Sequence, residues 1–104
     1  MEFEEFTQKS KVIRDAYHKL EKKHHGREWT VEEDALAFTS DVGLISRYVM
    51  DKADIWPATQ REDSNLAYKI GESVWWLAVL AERNDLDFKE AIELFINKKL
   101  TDFK

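Results

Sequence analysis

The sequence predicts an all-α protein, a compact bundle of four helices forming a single domain over residues 1–104. Three observations carry this expectation. The composition is 43% hydrophobic and 36% charged with only three Gly and one Pro, which is poor material for a turn-rich β fold and good material for helices. Apolar residues recur at spacings of three and four along four separate stretches, the period of one helix face. Start and stop signals bracket those stretches. At 104 residues the chain is long enough for one modest core.

Phe3, Phe6, Ile13, Tyr17 and Leu20 set the first helix, from about Glu2 to Lys22. It closes on Lys22-Lys23-His24-His25-Gly26, where cations complement the negative helix end and glycine takes the residue beyond it. The second helix opens at Thr30-Val31-Glu32-Glu33, a capping box with a hydroxyl at the cap and a carboxylate three residues on. It carries Ala35, Phe38, Val42, Ile45 and Val49 down one face and runs to about Asp51.

Pro57 forbids a helix through Asp54-Ile55-Trp56-Pro57-Ala58-Thr59, so residues 52 to 62 form the one longer connection. The third helix starts near Asp63 or Ser64 and reaches about Arg83. Leu66, Ile70, Val74, Leu77 and Ala81 are its predicted core stripe. Trp75 and Trp76 are neighbours, about 100° apart around a helix axis, which predicts one in a domain core and the other in a subunit interface. A homodimer or higher homo-oligomer is therefore expected. Asn84-Asp85 is a turn, Asp87 is spaced as a cap, and Ala91, Leu94, Phe95 and Leu100 belong to the last helix. Mid-helix Gly43 and Gly71 each cost about 1 kcal/mol relative to Ala, which predicts close helix–helix approach at those points.

Composition also bears on function. With no Cys, disulfides and thiolate metal sites are excluded. No apolar run approaches the roughly 20 residues of a membrane helix, and the N-terminus is acidic where a signal peptide is basic, so a cytoplasmic protein is expected. A net charge of −5 argues against nucleic acid as a partner. No Gly-rich phosphate loop or nucleophile elbow occurs.

The chemistry lies in acidic residues set within apolar stretches. Asp41 sits in Ser40-Asp41-Val42-Gly43-Leu44, and Glu72 in Lys69-Ile70-Gly71-Glu72-Ser73-Val74-Trp75-Trp76-Leu77. Half-buried carboxylates that approach one another need a proton, a metal or another cation between them. These two stretches, with the closing Asp85-Leu86-Asp87-Phe88-Lys89-Glu90-Ala91-Ile92 and the preceding His25-Gly26-Arg27-Glu28-Trp29, resemble the MazG-like all-α nucleotide pyrophosphohydrolases from about Gly26 to Leu100. The likeness is one of order and spacing, since no single motif is specific. It implies a MazG-like bundle completed by dimerisation. It also implies a magnesium-dependent enzyme that cleaves a nucleoside triphosphate to a monophosphate and pyrophosphate. In that family an E-E-x-G-E helix and an E-L-A-D-V-L-W-Y-L helix each place two carboxylates one turn apart, and the four clamp the cation.

Matched position by position, the first motif here reads Asp41 and Leu44, and the second reads Lys69 and Glu72. Asp41 and Glu72 remain as residual metal ligands, while Leu44 and Lys69 replace the other two. Leu44 cannot bind a cation, and Lys69 repels magnesium and is free to pair with Asp41 or Glu72. Three readings follow. The chain is a degenerate family member that binds nucleotide or regulates with weak or no catalysis. Alternatively it is an active pyrophosphohydrolase that recruits Glu32, Glu33, Asp51, Asp54, Asp63 or a second subunit's acids. In the third reading it is a helical protein-interaction module in which Asp41, Lys69 and Glu72 are a structural ion cluster. Lys22, Lys23 and Arg27 are candidate phosphate contacts, and Trp56, in the loop, is a candidate base-stacking residue.

Overall fold

The structure is a computed structural model, described over residues 1–57 and 64–104. It is all-α. The four helices are α1 (Phe3–His25), α2 (Val31–Lys52), α3 (Ser64–Arg83) and α4 (Phe88–Asp102), and no strand occurs among the described residues.

Each helix end follows from local chemistry. α1 places Glu4 and Glu5 in its first turn and Lys22, Lys23, His24 and His25 in its last, complementing the helix dipole at both ends. It therefore continues a turn beyond the expected Lys22. Gly26 ends it at φ 77°, with its N–H donated to the Lys22 carbonyl. The capping box of α2 is complete: Thr30 Oγ1 accepts from the Glu33 N–H, and Glu33 Oε1 accepts from the Thr30 N–H. Beyond α2, Asp54 turns the chain at φ 59°, a conformation Asp tolerates better than most residues. α3 begins at Ser64, whereas the alternative start, Asp63, lies outside the described residues. Asp85 repeats the left-handed turn at φ 59°, and Asp87 caps α4 by accepting from the Glu90 N–H at 2.8 Å.

The contacts divide the described chain into two units. One comprises Met1–Glu28 and Ala78–Lys104, which hold α1, the last turns of α3 and α4. Its apolar interior is small: Ala78, Val79 and Ala81 are buried, and the Phe88 ring meets Phe3 and Phe6 at 6.3 and 5.8 Å between centroids. A bidentate pair from Arg14 to Glu21 is also buried, at 2.8 and 3.2 Å. The same unit holds a cavity of about 570 Å3, bordered by Phe3, Thr7, Leu86 and Phe88.

The other unit, Trp29–Leu77, contains α2 and the longer part of α3. Here Asp34 is fully buried, and Asp51, Ser73, Trp75 and Trp76 are nearly so. The predicted separation of Trp75 and Trp76 into core and interface is corrected. Both are buried, and their ring centroids lie 4.5 Å apart. An indole is long enough to fold back along the helix surface, so the 100° between neighbouring Cα positions does not separate the rings.

Two further expectations are revised. A Cβ built on Gly43 or Gly71 meets nothing within 4 Å, so neither glycine marks a close helix–helix approach in this chain. The apolar stripes also lie partly exposed. Ile70, Val74 and Leu77 are 48, 40 and 43% exposed, and Val42 and Val49 are 38 and 50% exposed. On α4, Leu94, Phe95 and Leu100 are exposed as well. Periodicity identified the residues that share a face; among the described residues of α3 the buried positions are Ser73, Trp75, Trp76, Ala78, Val79 and Ala81, so that of the predicted stripe only Ala81 is buried.

Candidate functional site

Within the Trp29–Leu77 unit, Asp41 stands at the middle of α2, and Lys69, Glu72 and Trp76 stand on α3 at spacings of three and four. That spacing aligns the three α3 side chains along one face. Lys69 Nζ lies 2.6 Å from Glu72 Oε1 and 3.0 Å from Asp41 Oδ1. Trp76 Nε1–H donates to the other Asp41 oxygen, Oδ2, at 2.8 Å. Ser73 Oγ donates to the Lys69 carbonyl at 2.8 Å, which ties off the backbone beneath the cluster. The Lys69, Asp41 and Glu72 side chains are 18 to 22% exposed, so solvent screens these bonds only in part.

The electrostatics favour the charged lysine. The Glu72 hydrogen bond is the largest cause raising its pKa above the ordinary lysine value. Burial opposes this, and the bond to Asp41 reinforces it. Both Asp41 oxygens have hydrogen-bond partners, and the ammonium sits where a cation shared by Asp41 and Glu72 would sit.

These residues do not make a magnesium site. A hard divalent cation requires several oxygen donors around it, whereas here two carboxylates already share a fixed ammonium. Leu44, one turn from Asp41, has no donor atom and is 38% exposed. Among the described residues, no group of three or more His, Asp or Glu side chains is placed to hold a metal ion.

The alternative acids are dispersed. Glu33 serves the α2 capping box, Glu32 is exposed in the first turn of α2, and Asp51 is buried near the end of that helix. Asp54 forms the turn after α2, and Asp63 lies outside the described residues.

The candidate phosphate contacts belong to the Met1–Glu28 segment. Lys22 Nζ lies 3.2 Å from Glu28 Oε1, Arg27 donates to the Glu28 carbonyl at 3.0 Å, and Lys23 is exposed in the last turn of α1. His18 Nδ1 approaches the other Glu28 oxygen at 3.9 Å. The Glu28 carboxyl is held below its ordinary value, chiefly by the Lys22 hydrogen bond and further by the charges of His18 and Arg83. Trp56, in the Trp29–Leu77 unit, is 54% exposed and has the Arg47 guanidinium 5.2 Å from its ring centroid. Three of the four basic and aromatic candidates thus have a partner within their own unit.

Sequence reasoning missed the indole donor to Asp41. Its signal was available, since Trp76 follows Glu72 by four positions and Lys69 by seven, on the same helical face. The buried Arg14–Glu21 pair, seven residues apart on α1, was legible in the same way. Nothing in the pattern marked Asp34 as the most deeply buried side chain. Comparisons with protein-family models, with curated proteins and with solved structures found no match to this chain.

Proposed function

We propose that this chain is a degenerate MazG-like domain in which the Lys69 ammonium replaces the metal, and that it binds or regulates without hydrolysing nucleoside triphosphates. The supporting observation is the single ammonium held by both Asp41 and Glu72, with the second Asp41 oxygen occupied by Trp76. Replacing two of four carboxylates by Leu44 and Lys69 changes the charge of such a site by three units. Each unit pair at about 4 Å is worth roughly 4 kcal/mol at an effective dielectric near 20, which opposes a divalent cation. Nucleoside triphosphate is then a ligand rather than a substrate.

The half-exposed apolar stripes favour a second element of the reading, that the domain works by association, as a homodimer or higher assembly or as a helical interaction module. No helix among the described residues is long and apolar enough to cross a membrane, and with the Cys-free composition this supports a cytoplasmic setting.

Calorimetric titration with magnesium and a nucleotide set, followed by a pyrophosphate-release assay, tests the reading. The expected result is no magnesium binding and no turnover; magnesium-dependent pyrophosphate release would overturn it. The L44E/K69E double variant restores four carboxylates and is expected to gain magnesium binding. A folded double variant that still ignores magnesium would remove the proposed relation to a metal-binding ancestor.

A further inference from the structure

The cavity of about 570 Å3 in the Met1–Glu28, Ala78–Lys104 unit is bordered by residues of that unit alone. Its volume falls within the range of roughly 300–1,000 Å3 usual for small-molecule sites. Phe3, Thr7 and Lys11 reach it from α1 at steps of four, the spacing of one helix face. Leu86 and Phe88 close it from the turn before α4 and the first residue of that helix. Its aromatic wall is packed: the Phe88 ring meets Phe3 at an angle of 69° and Phe6 at 36°. Phe3 and Leu86 nonetheless remain 42 and 61% exposed, so apolar surface is available to an occupant.

The charge of the same lining selects the occupant. Glu2, Glu4, Glu82 and Asp87 border the cavity against Lys11 and Lys89. Both lysines are engaged, Lys11 at 3.7 Å from Glu82 and Lys89 at 3.8 Å from Glu93, and Asp87 is occupied as the cap of α4. Glu2 and Glu4 are left over. Their carboxylates make no hydrogen bond or ion pair with another described residue, and Glu2 stands at the cap position of α1 without the side-chain bond that Thr30 and Asp87 make. The starts of α1 and α4 both border the cavity, and a bare helix start favours an anion. Here the chain's own carboxylates answer them, Glu4 and Glu5 in the first turn of α1 and Asp87 at α4. A metal ion does not fit either, because among the described residues no three acidic or histidine side chains converge.

From these observations we infer that the cavity binds a small organic cation with an aromatic body, an arylalkyl amine or guanidine. Its apolar part lies against Phe3, Leu86 and Phe88, and its charged head is held by Glu2 and Glu4. Aromatic faces beside the carboxylates add cation–π attraction to the apolar contact. The site shares no residue with the Lys69 cluster, and its acidic lining repels a triphosphate, so the inference is independent of the nucleotide reading.

Three probes of one shape and different charge test it: phenethylammonium, the neutral 2-phenylethanol and the anionic 3-phenylpropionate. Each is titrated to millimolar concentration into the full chain while backbone amide resonances are followed by NMR. Phenethylammonium is expected to give saturable shifts clustered at residues 2–11 and 86–89. The neutral probe is expected to bind there about fivefold more weakly, and the anion not to saturate, since exposed carboxylates attract a cation only modestly. Raising the salt concentration should narrow the gap between cation and neutral probe. The Glu2→Gln/Glu4→Gln double variant should bring phenethylammonium down to the affinity of 2-phenylethanol and leave the neutral probe unchanged. Thr7→Leu, which fills the cavity from α1, should weaken the cation and the neutral probe alike. Absence of saturable shifts with phenethylammonium would overturn the site, as would saturable shifts confined to other residues. Equal binding of all three probes, or a double variant that still prefers the cation, would overturn the assignment of the charged head to Glu2 and Glu4.

Discussion

The Lys69 ammonium lies 3.0 Å from Oδ1 of Asp41, although 28 positions of sequence separate the two residues. Removing the ammonium leaves two acids sharing one part-buried space. Breaking a fully buried pair costs roughly 3–5 kcal/mol, and with side chains about one-fifth exposed the expected cost of Lys69→Met is about 2 kcal/mol near neutral pH. The variant should recover stability relative to wild type as the pH is lowered, because a carboxylate pair without its cation takes up a proton more readily. Denaturant unfolding at matched protein concentration and several pH values measures both effects.

The raised pKa of Lys69 fixes the sign of its own pH dependence. A lysine whose folded pKa exceeds its ordinary value of 10.5 contributes its full stabilisation below that pH and loses it as the pH climbs through the folded value. The stability gap between wild type and Lys69→Met is therefore expected to stay constant from about pH 7 to 9.5 and to narrow above about 10.5. Glu28 acts oppositely at the acid end. Its lowered pKa contributes stability above its ordinary value of 4.5, which is lost as the pH falls through the folded value. Glu28→Gln should flatten the acid limb of the unfolding profile and leave the alkaline limb unchanged.

Trp76→Phe retains a buried aromatic ring but removes the donor to Asp41 Oδ2. A hydrogen bond to a charged acceptor contributes about 1.5–3 kcal/mol, so a loss in that range is expected. Combining it with Lys69→Met should give less than the sum of the two losses, because both bonds end on the Asp41 carboxylate. A double-mutant cycle in urea measures the coupling.

Thr30→Ala removes one half of the reciprocal cap on α2, at an expected cost of about 1 kcal/mol. Thermal unfolding should register that loss as a fall in Tm of roughly 4–8 °C for a domain of this size.

Gly43→Ala tests the revised view of the mid-helix glycines. With open space around the added Cβ, the substitution should stabilise the protein by up to about 1 kcal/mol through helix propensity alone. A loss of stability would mean that something packs against this position in the assembled protein.

The sequence by itself determined the local structure. Four helices, the capping box at Thr30, the closing Gly26 and the cap at Asp87 were all legible, because each depends on side chains within three or four residues. The opposite charges of Lys69, Asp41 and Glu72 also announced an ion cluster, once α2 and α3 were taken as neighbours. Only the tertiary structure decided which acids Lys69 would satisfy, that Trp76 would complete Asp41, and that Asp34 would be wholly buried. It also decided that Ile70, Val74 and Leu77 would stay half exposed. The physical reason is that a 3.6-residue period specifies which side chains share a face, while the surface that covers the face is set by contacts between residues far apart in the chain.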